Sequence, residues 1–233
     1  MINLKIPVGI SDFEKIRKNQ YYFVDKSGLI EELLNTESNE VTLITRPRRF
    51  GKTLGMSMLA SFFDIRRDSS ELFRGLKISQ KEELCQKWMN QYPVLFVTFK
   101  DVDGLDFQSA KEMLRIQIAD RCNEYLCLIS SEKVNENDKA IFRQLADVVK
   151  GDVSDAMLKT GIALIMRMLQ DYYEKPVILL LDEYDVPLAK ASAHGYYAEM
   201  LEVMRAMIST ALKDNPSLRF AVVTGCLRIS RER

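Results

Sequence analysis

Four short, nearly continuous apolar runs punctuate the chain: Val41-Thr42-Leu43-Ile44-Thr45, Val94-Leu95-Phe96-Val97-Thr98-Phe99, Val177-Ile178-Leu179-Leu180-Leu181, and Leu218 to Val223. A run that does not alternate between apolar and polar positions suits a strand covered on both faces, as in a parallel sheet between helical layers. Between the runs the period changes to that of helices. Leu54, Met58, Leu59, Phe62 and Phe63 share one face of a helix predicted from Lys52 to about Asp64, a face better explained as core than as a recognition surface. A second helix is expected from Leu29 to Leu34 and a third near 80–89. Two long amphipathic helices are expected over about 107–130 and 154–174, with a shorter one, 140–149, between them. The last helix is predicted from about Tyr196 to Lys213. Near the start, Ser11 and Glu14 have capping-box spacing, and Tyr21 to Val24 has the composition of a brief strand. The pattern is that of an α/β domain. The helical stretch 107–174 exceeds what a simple crossover needs and reads as a helical insertion, and residues 1–40 read as an N-terminal extension.

The first apolar run leads directly into Arg46-Pro47-Arg48-Arg49-Phe50-Gly51-Lys52-Thr53, and Leu54 opens the helix. Strand, loop ending Gly-Lys-Thr, then helix is the order of a phosphate-binding loop, or Walker A element. Gly51 lets the backbone approach a phosphate, the Lys52 ammonium reaches the terminal phosphates, and the Thr53 hydroxyl can ligate Mg²⁺. The helix N-terminus adds amides aimed at the same anion. Arg46 stands where the usual motif begins with glycine. Arg46, Arg48 and Arg49 crowd three guanidinium groups beside Lys52, so they need anions: phosphates, a partner, or carboxylates such as Asp25.

The third run is closed by Asp182-Glu183-Tyr184-Asp185. Acidic groups at the C-terminal end of a parallel strand lie where open α/β sheets bind ligands. In a Walker B reading Asp182 holds Mg²⁺ and Glu183 polarises the attacking water; the alternative is a buried strand followed by a solvated acidic turn. Asp185 is either a further acidic contact or a helix-start aspartate before Pro187. Thr224, at the tip of the fourth run, either lies between the two motifs near the terminal phosphate or caps a strand-end turn. Arg228, shortly beyond, either reaches phosphates or faces solvent.

Composition narrows the possibilities without redirecting them. Of 233 residues, 33 are Lys or Arg and 33 are Asp or Glu, so no global field draws the chain to nucleic acid or an anionic membrane. Four cysteines without a C-x-x-C pair and a single histidine, His194, argue against a zinc site. The start of the chain lacks a signal-peptide pattern, and no apolar run approaches membrane-spanning length. These features suit a soluble cytoplasmic protein.

Five ordered segments, Lys5 to Ile10, Tyr22 to Lys26, Thr45 to Leu54, Leu181 to Asp185 and Thr224 to Ile229, together resemble the bacterial AAA-ATPase-like family across essentially the whole chain. In that family arginine in place of the first loop glycine is usual. The resemblance implies a P-loop NTPase fold, a three-layer α/β/α domain with a mainly parallel sheet of order 5-1-4-3-2. It also implies ATP and Mg²⁺ as ligands, with Arg46, Pro47, Arg48, Arg49, Phe50, Gly51, Lys52, Thr53 and Leu54 around the nucleotide. Thr53 and Asp182 would then serve the metal, and Glu183, Lys52 and Thr224 catalysis. Family members commonly carry a C-terminal nuclease-like domain. On this reading residues 1–233 form one C-terminally incomplete domain. The fifth strand and the nuclease-like domain are missing, and the outer edge of Val41–Thr45 is left open. The function expected is Mg²⁺-dependent ATP binding and hydrolysis that switches a partner or nuclease-like domain. A nucleotide-gated interaction module with negligible turnover is the alternative, and a small-molecule kinase ranks below both because no acceptor motif is evident.

Overall fold

The computed structural model describes residues 5–35, 40–47, 49–149 and 153–226. Arg48 and Arg228 lie outside them. The four apolar runs form four strands: β1 (Val41–Thr45), β2 (Val94–Thr98), β3 (Val177–Asp182) and β4 (Leu218–Gly225). All pair in parallel, in the order β1-β4-β3-β2. This is the expected 1-4-3-2 order. Among the described residues no strand pairs with the other edge of β1, where Val41 and Leu43 remain exposed.

Successive residues of the strands serve opposite layers, which is why the runs do not alternate. Leu179, Leu181, Ala221 and Val223 point into one core, formed with α6 (Phe107–Glu124), α8 (Asp155–Tyr173) and α10 (Tyr197–Leu212). Ile178, Leu180 and Val222 point into the other, against α1 (Phe13–Lys18), α2 (Gly28–Asn35) and α3 (Lys52–Phe63). Every residue of β3 is buried. Truncating one of its leucines to alanine would cost about 2–5 kcal/mol. The domain is therefore a three-layer α/β/α sandwich of the P-loop type.

The remaining elements are α4 (Ser70–Phe73), α5 (Glu82–Trp88), α7 (Glu136–Ala146), α9 (Val186–His194) and two 3₁₀ turns, Lys77–Gln80 and Leu126–Ser130. Several local expectations need correction. Asp12, not Ser11, caps α1, its carboxylate accepting from the Lys15 amide at 3.0 Å. Residues 21–24 form no strand. Phe23 instead packs edge-on against Phe13, 5.4 Å between ring centroids, and the Tyr22 amide bonds the Lys5 carbonyl. The helix expected over 107–130 stops at Glu124 and tightens into the second 3₁₀ turn. The α7 helix begins earlier than expected because Asn135 caps it, accepting from the Asn137 amide. The α9 helix begins where one reading of Asp185 before Pro187 puts a helix start, although its extent was not predicted.

Candidate active site

The ends of β1, β3 and β4 link Lys52, Thr224, Asp182 and the Glu183 amide through one set of contacts. The β1 strand pairs with β4 up to Thr45 opposite Gly225, and the Arg46 amide continues the ladder by donating to the Gly225 carbonyl at 3.3 Å. The chain then turns through residues 46–51 into α3. Among the described residues of this turn, Arg49 (68°) and Gly51 (78°) have positive φ. Glycine takes that conformation without strain, whereas arginine does so at a cost, so the loop is held in shape by its surroundings. As the residue before Lys52, Gly51 brings the first amides of α3 forward, and these have no partner within the helix. Thr53 is half-buried in the first turn, and Leu54 follows it.

Lys52 folds back over its own loop. Its ammonium donates to the carbonyls of Arg46 (2.8 Å) and Pro47 (3.1 Å) and lies 3.3 Å from Cys226 Sγ. The last contact links positions 174 residues apart and ties the loop to the tip of β4.

The tip of β4 also grips the end of β3. The Thr224 hydroxyl donates to Asp182 Oδ1 and accepts from the Glu183 amide at 3.3 Å, while the Thr224 carbonyl accepts from the Tyr184 amide at 3.1 Å. Thr224 and Asp182 are both buried. Thr224 is thus the hinge-pin between two strand ends, and its hydroxyl is spent on the acidic segment. Glu183 has φ 56°, a left-handed backbone rarely adopted by a non-glycine residue, directly after the buried aspartate. Gly225 fits only as glycine: a Cβ there would lie 2.6 Å from Tyr184 Cε1 and 2.9 Å from Asp185 Oδ1. Asp185 sits at the N-cap position of α9 without capping it, because its Oδ2 accepts from the Cys226 amide at 2.9 Å. It stands before Pro187 as one reading of the sequence proposed, but its carboxylate fastens β4.

The donor set suits a hard cation. Asp182 Oδ2 is buried with no hydrogen-bond partner among the described residues. Such an oxygen carries a desolvation cost that a metal or a donor would relieve. No group of three or more His, Cys, Asp or Glu side chains that could hold a metal occurs among the described residues.

Two hollows flank the loop. A cavity of about 700 Å³ runs along β1 to Arg46, Lys52 and Thr224, and includes Met56 and Leu59 of α3. A groove of about 520 Å³ lies on the other side, walled by Ile6, Pro7, Phe23, Val24, Leu54 and Met58. Phe50, 62% exposed, and Gly51 border both. Arg46 and Arg49 are exposed at the rim. Asp25 does not pair with them. Its carboxylate accepts from the amides of Ser27 and Lys77, each at 2.8 Å. Burial pushes the Asp25 carboxyl up, but the hydrogen bonds from Ser27 and Lys77 outweigh it and leave it below the usual range.

Three residues at this site escaped sequence reasoning. Cys226 and Gly225 followed Thr224 in a quoted segment without a role, although a glycine at a strand tip signals close approach. Lys26, on the loop's other flank, reaches within 3.5 Å of the Phe50 carbonyl.

Comparison with known proteins gives a family match. A family model described as "Predicted AAA-ATPase" matches residues 7–233. A curated protein of Azotobacter chroococcum mcd 1, titled "Uncharacterized protein in vnfD 5'region", is 28% identical over 238 residues, covering 99% of this chain and 39% of its own length. The chain therefore spans about two fifths of that relative. No solved structure matches.

Proposed function

Because the chain belongs to the family of predicted AAA-ATPases, we propose that it binds ATP with Mg²⁺ on residues 46–54 and hydrolyses it. The nucleotide state would act as a switch for a protein partner or nuclease-like domain. The observation that carries this reading is the join made by β4: one strand tip touches Lys52 through Cys226 and Asp182 through Thr224.

In this reading the amides of Gly51 and the first turn of α3 receive the phosphates, and Lys52 exchanges the Arg46 and Pro47 carbonyls for phosphate oxygens. Thr53 and Asp182 would hold Mg²⁺, which supplies charge neutralisation between the distal phosphates. Glu183 would orient and deprotonate the attacking water. Thr224 acts as a positioning residue, fixing the Asp182 carboxylate and the Glu183 amide. Arg46 and Arg49 at the rim neutralise phosphate charge, and the apolar groove beside Leu54 suits a planar base. Nearly all the catalytic effect expected here is alignment and charge stabilisation.

Equilibrium titration of ATP with Mg²⁺ against wild type and Lys52→Ala tests the site. Equal affinity would refute the loop assignment. Phosphate release by wild type and Glu183→Gln tests hydrolysis: a drop of about 100-fold or more is expected for the variant. A wild type that binds ATP but releases no phosphate would instead identify a nucleotide-gated interaction module.

A further inference from the structure

Asp25, Lys26 and Ser27 form the turn that enters α2, and two of the three are fixed by hydrogen bonds. Ser27 is fully buried and its hydroxyl accepts from the Ile78 amide at 3.2 Å, while the Asp25 carboxylate receives the Ser27 and Lys77 amides. The turn is thereby pinned to the 3₁₀ segment Lys77–Gln80. Lys26 alone projects the other way, toward the loop. Its ammonium lies 3.5 Å from the Phe50 carbonyl and 3.4 Å from where a Cβ on Gly51 would stand.

Position and charge together suggest a use. Lys26 borders both the cavity that contains Lys52 and the apolar groove that does not. None of the ion pairs among the described residues involves it. Its one hydrogen bond is at the limit of useful length. A cation delivered on a braced turn, and left without a carboxylate beside a phosphate loop, is poised for an anion.

We propose that Lys26 is a phosphate-binding residue of the nucleotide site, contacting the phosphate nearest the ribose, where the base groove meets the loop. This rests on the nucleotide reading above. Lys52 serves the distal end and Lys26 the proximal end, so Lys26 contributes equally to ATP and ADP.

The test is titration of ATP and ADP, each with Mg²⁺, against wild type, Lys26→Met, Lys26→Arg and Lys52→Ala at several salt concentrations, with melting temperatures in the absence of nucleotide. Lys26→Met should weaken ATP and ADP by the same factor, about 10- to 100-fold. It should also flatten the salt dependence of affinity and leave the nucleotide-free melting temperature within about 2 °C of wild type. Lys26→Arg should recover most of the loss. Unchanged affinity in Lys26→Met overturns the proposal, as does a loss with the salt dependence intact or a loss that tracks a fall in melting temperature. If Lys52→Ala weakens binding while Lys26→Met does not, only the Lys26 assignment fails. If neither weakens it, both readings fail.

Discussion

Replacing Asp182 by asparagine should stabilise the nucleotide-free protein while disabling its response to ATP and Mg²⁺. Asp182 is fully buried; Oδ1 accepts from Thr224 and Oδ2 has no hydrogen-bond partner among the described residues. An unsatisfied buried acceptor costs about 1–3 kcal/mol, and more when it carries charge. The amide has nearly the same volume, keeps an oxygen for the Thr224 hydroxyl, and removes the charge. It leaves an unpartnered N–H in place of the unpartnered oxygen, so the net gain falls at the lower end, about 1 kcal/mol. For a domain of this size that corresponds to a melting temperature about 2–4 °C higher. With ATP and Mg²⁺ at a hundred times the dissociation constant, wild type gains about 2.7 kcal/mol, whereas the variant loses the metal-dependent share. The order of the two melting curves should therefore invert between a chelator-containing buffer and one with ATP and Mg²⁺. Thermal scanning in both buffers decides it. A variant that melts below wild type without nucleotide, or that shifts with ATP and Mg²⁺ as much as wild type, would refute the reasoning, since either result means the carboxylate is not held in reserve for a cation.

Gly225→Ala would drive a methyl into Tyr184 and Asp185, an overpacking cost of about 1–3 kcal/mol, and should weaken ATP binding by prising the β4 tip from the acidic segment; titration with a melting control measures both. Asp64 is buried and accepts three hydrogen bonds from the Arg66 side chain, which also reaches Glu124. Asp64→Ala should cost about 1–3 kcal/mol in denaturant unfolding, because it removes the buried acceptor of these bonds while Arg66 keeps Glu124. Asp25 is held as a carboxylate more firmly folded than unfolded. Its contribution is complete above the ordinary value of 3.8 and lost as pH falls below it, so the melting gap between wild type and Asp25→Ala should be widest near neutrality and narrow in acid.

The sheet was legible because its strands carry their own evidence. Val177 to Leu181 is apolar at every position, and only burial on both faces calls for that. The strand order could be stated because the loop and acidic motifs implied a familial arrangement, not because the runs themselves encode neighbours. Tyr21 to Val24 misled because β-propensity measures fit to a half-buried pleated surface, and no strand lies alongside; Phe23 meets an aromatic cluster instead. The start of α9 was legible as one reading of Asp185 before Pro187, but its extent was not, although Gly195 at its end is an ordinary boundary signal. At the site, the residue types were visible where they close a strand or open a helix. The lateral contacts were not: Cys226 meets Lys52 and Lys26 meets Phe50 only through tertiary folding, and no local pattern records such separations.

The position of β4 has a consequence for how the molecule comes together. Neither β1 nor β3 pairs with the other; each pairs with β4, which follows both in sequence. Until β4 slides between them, β1 and the β2–β3 pair are disconnected pieces separated by a long stretch of chain, and closing so distant a pairing is slow. The contacts of the β4 tip with Lys52 and Asp182 therefore form only after the helical layers that precede β4 have been made. Ligand affinity would then report that β4 is in place.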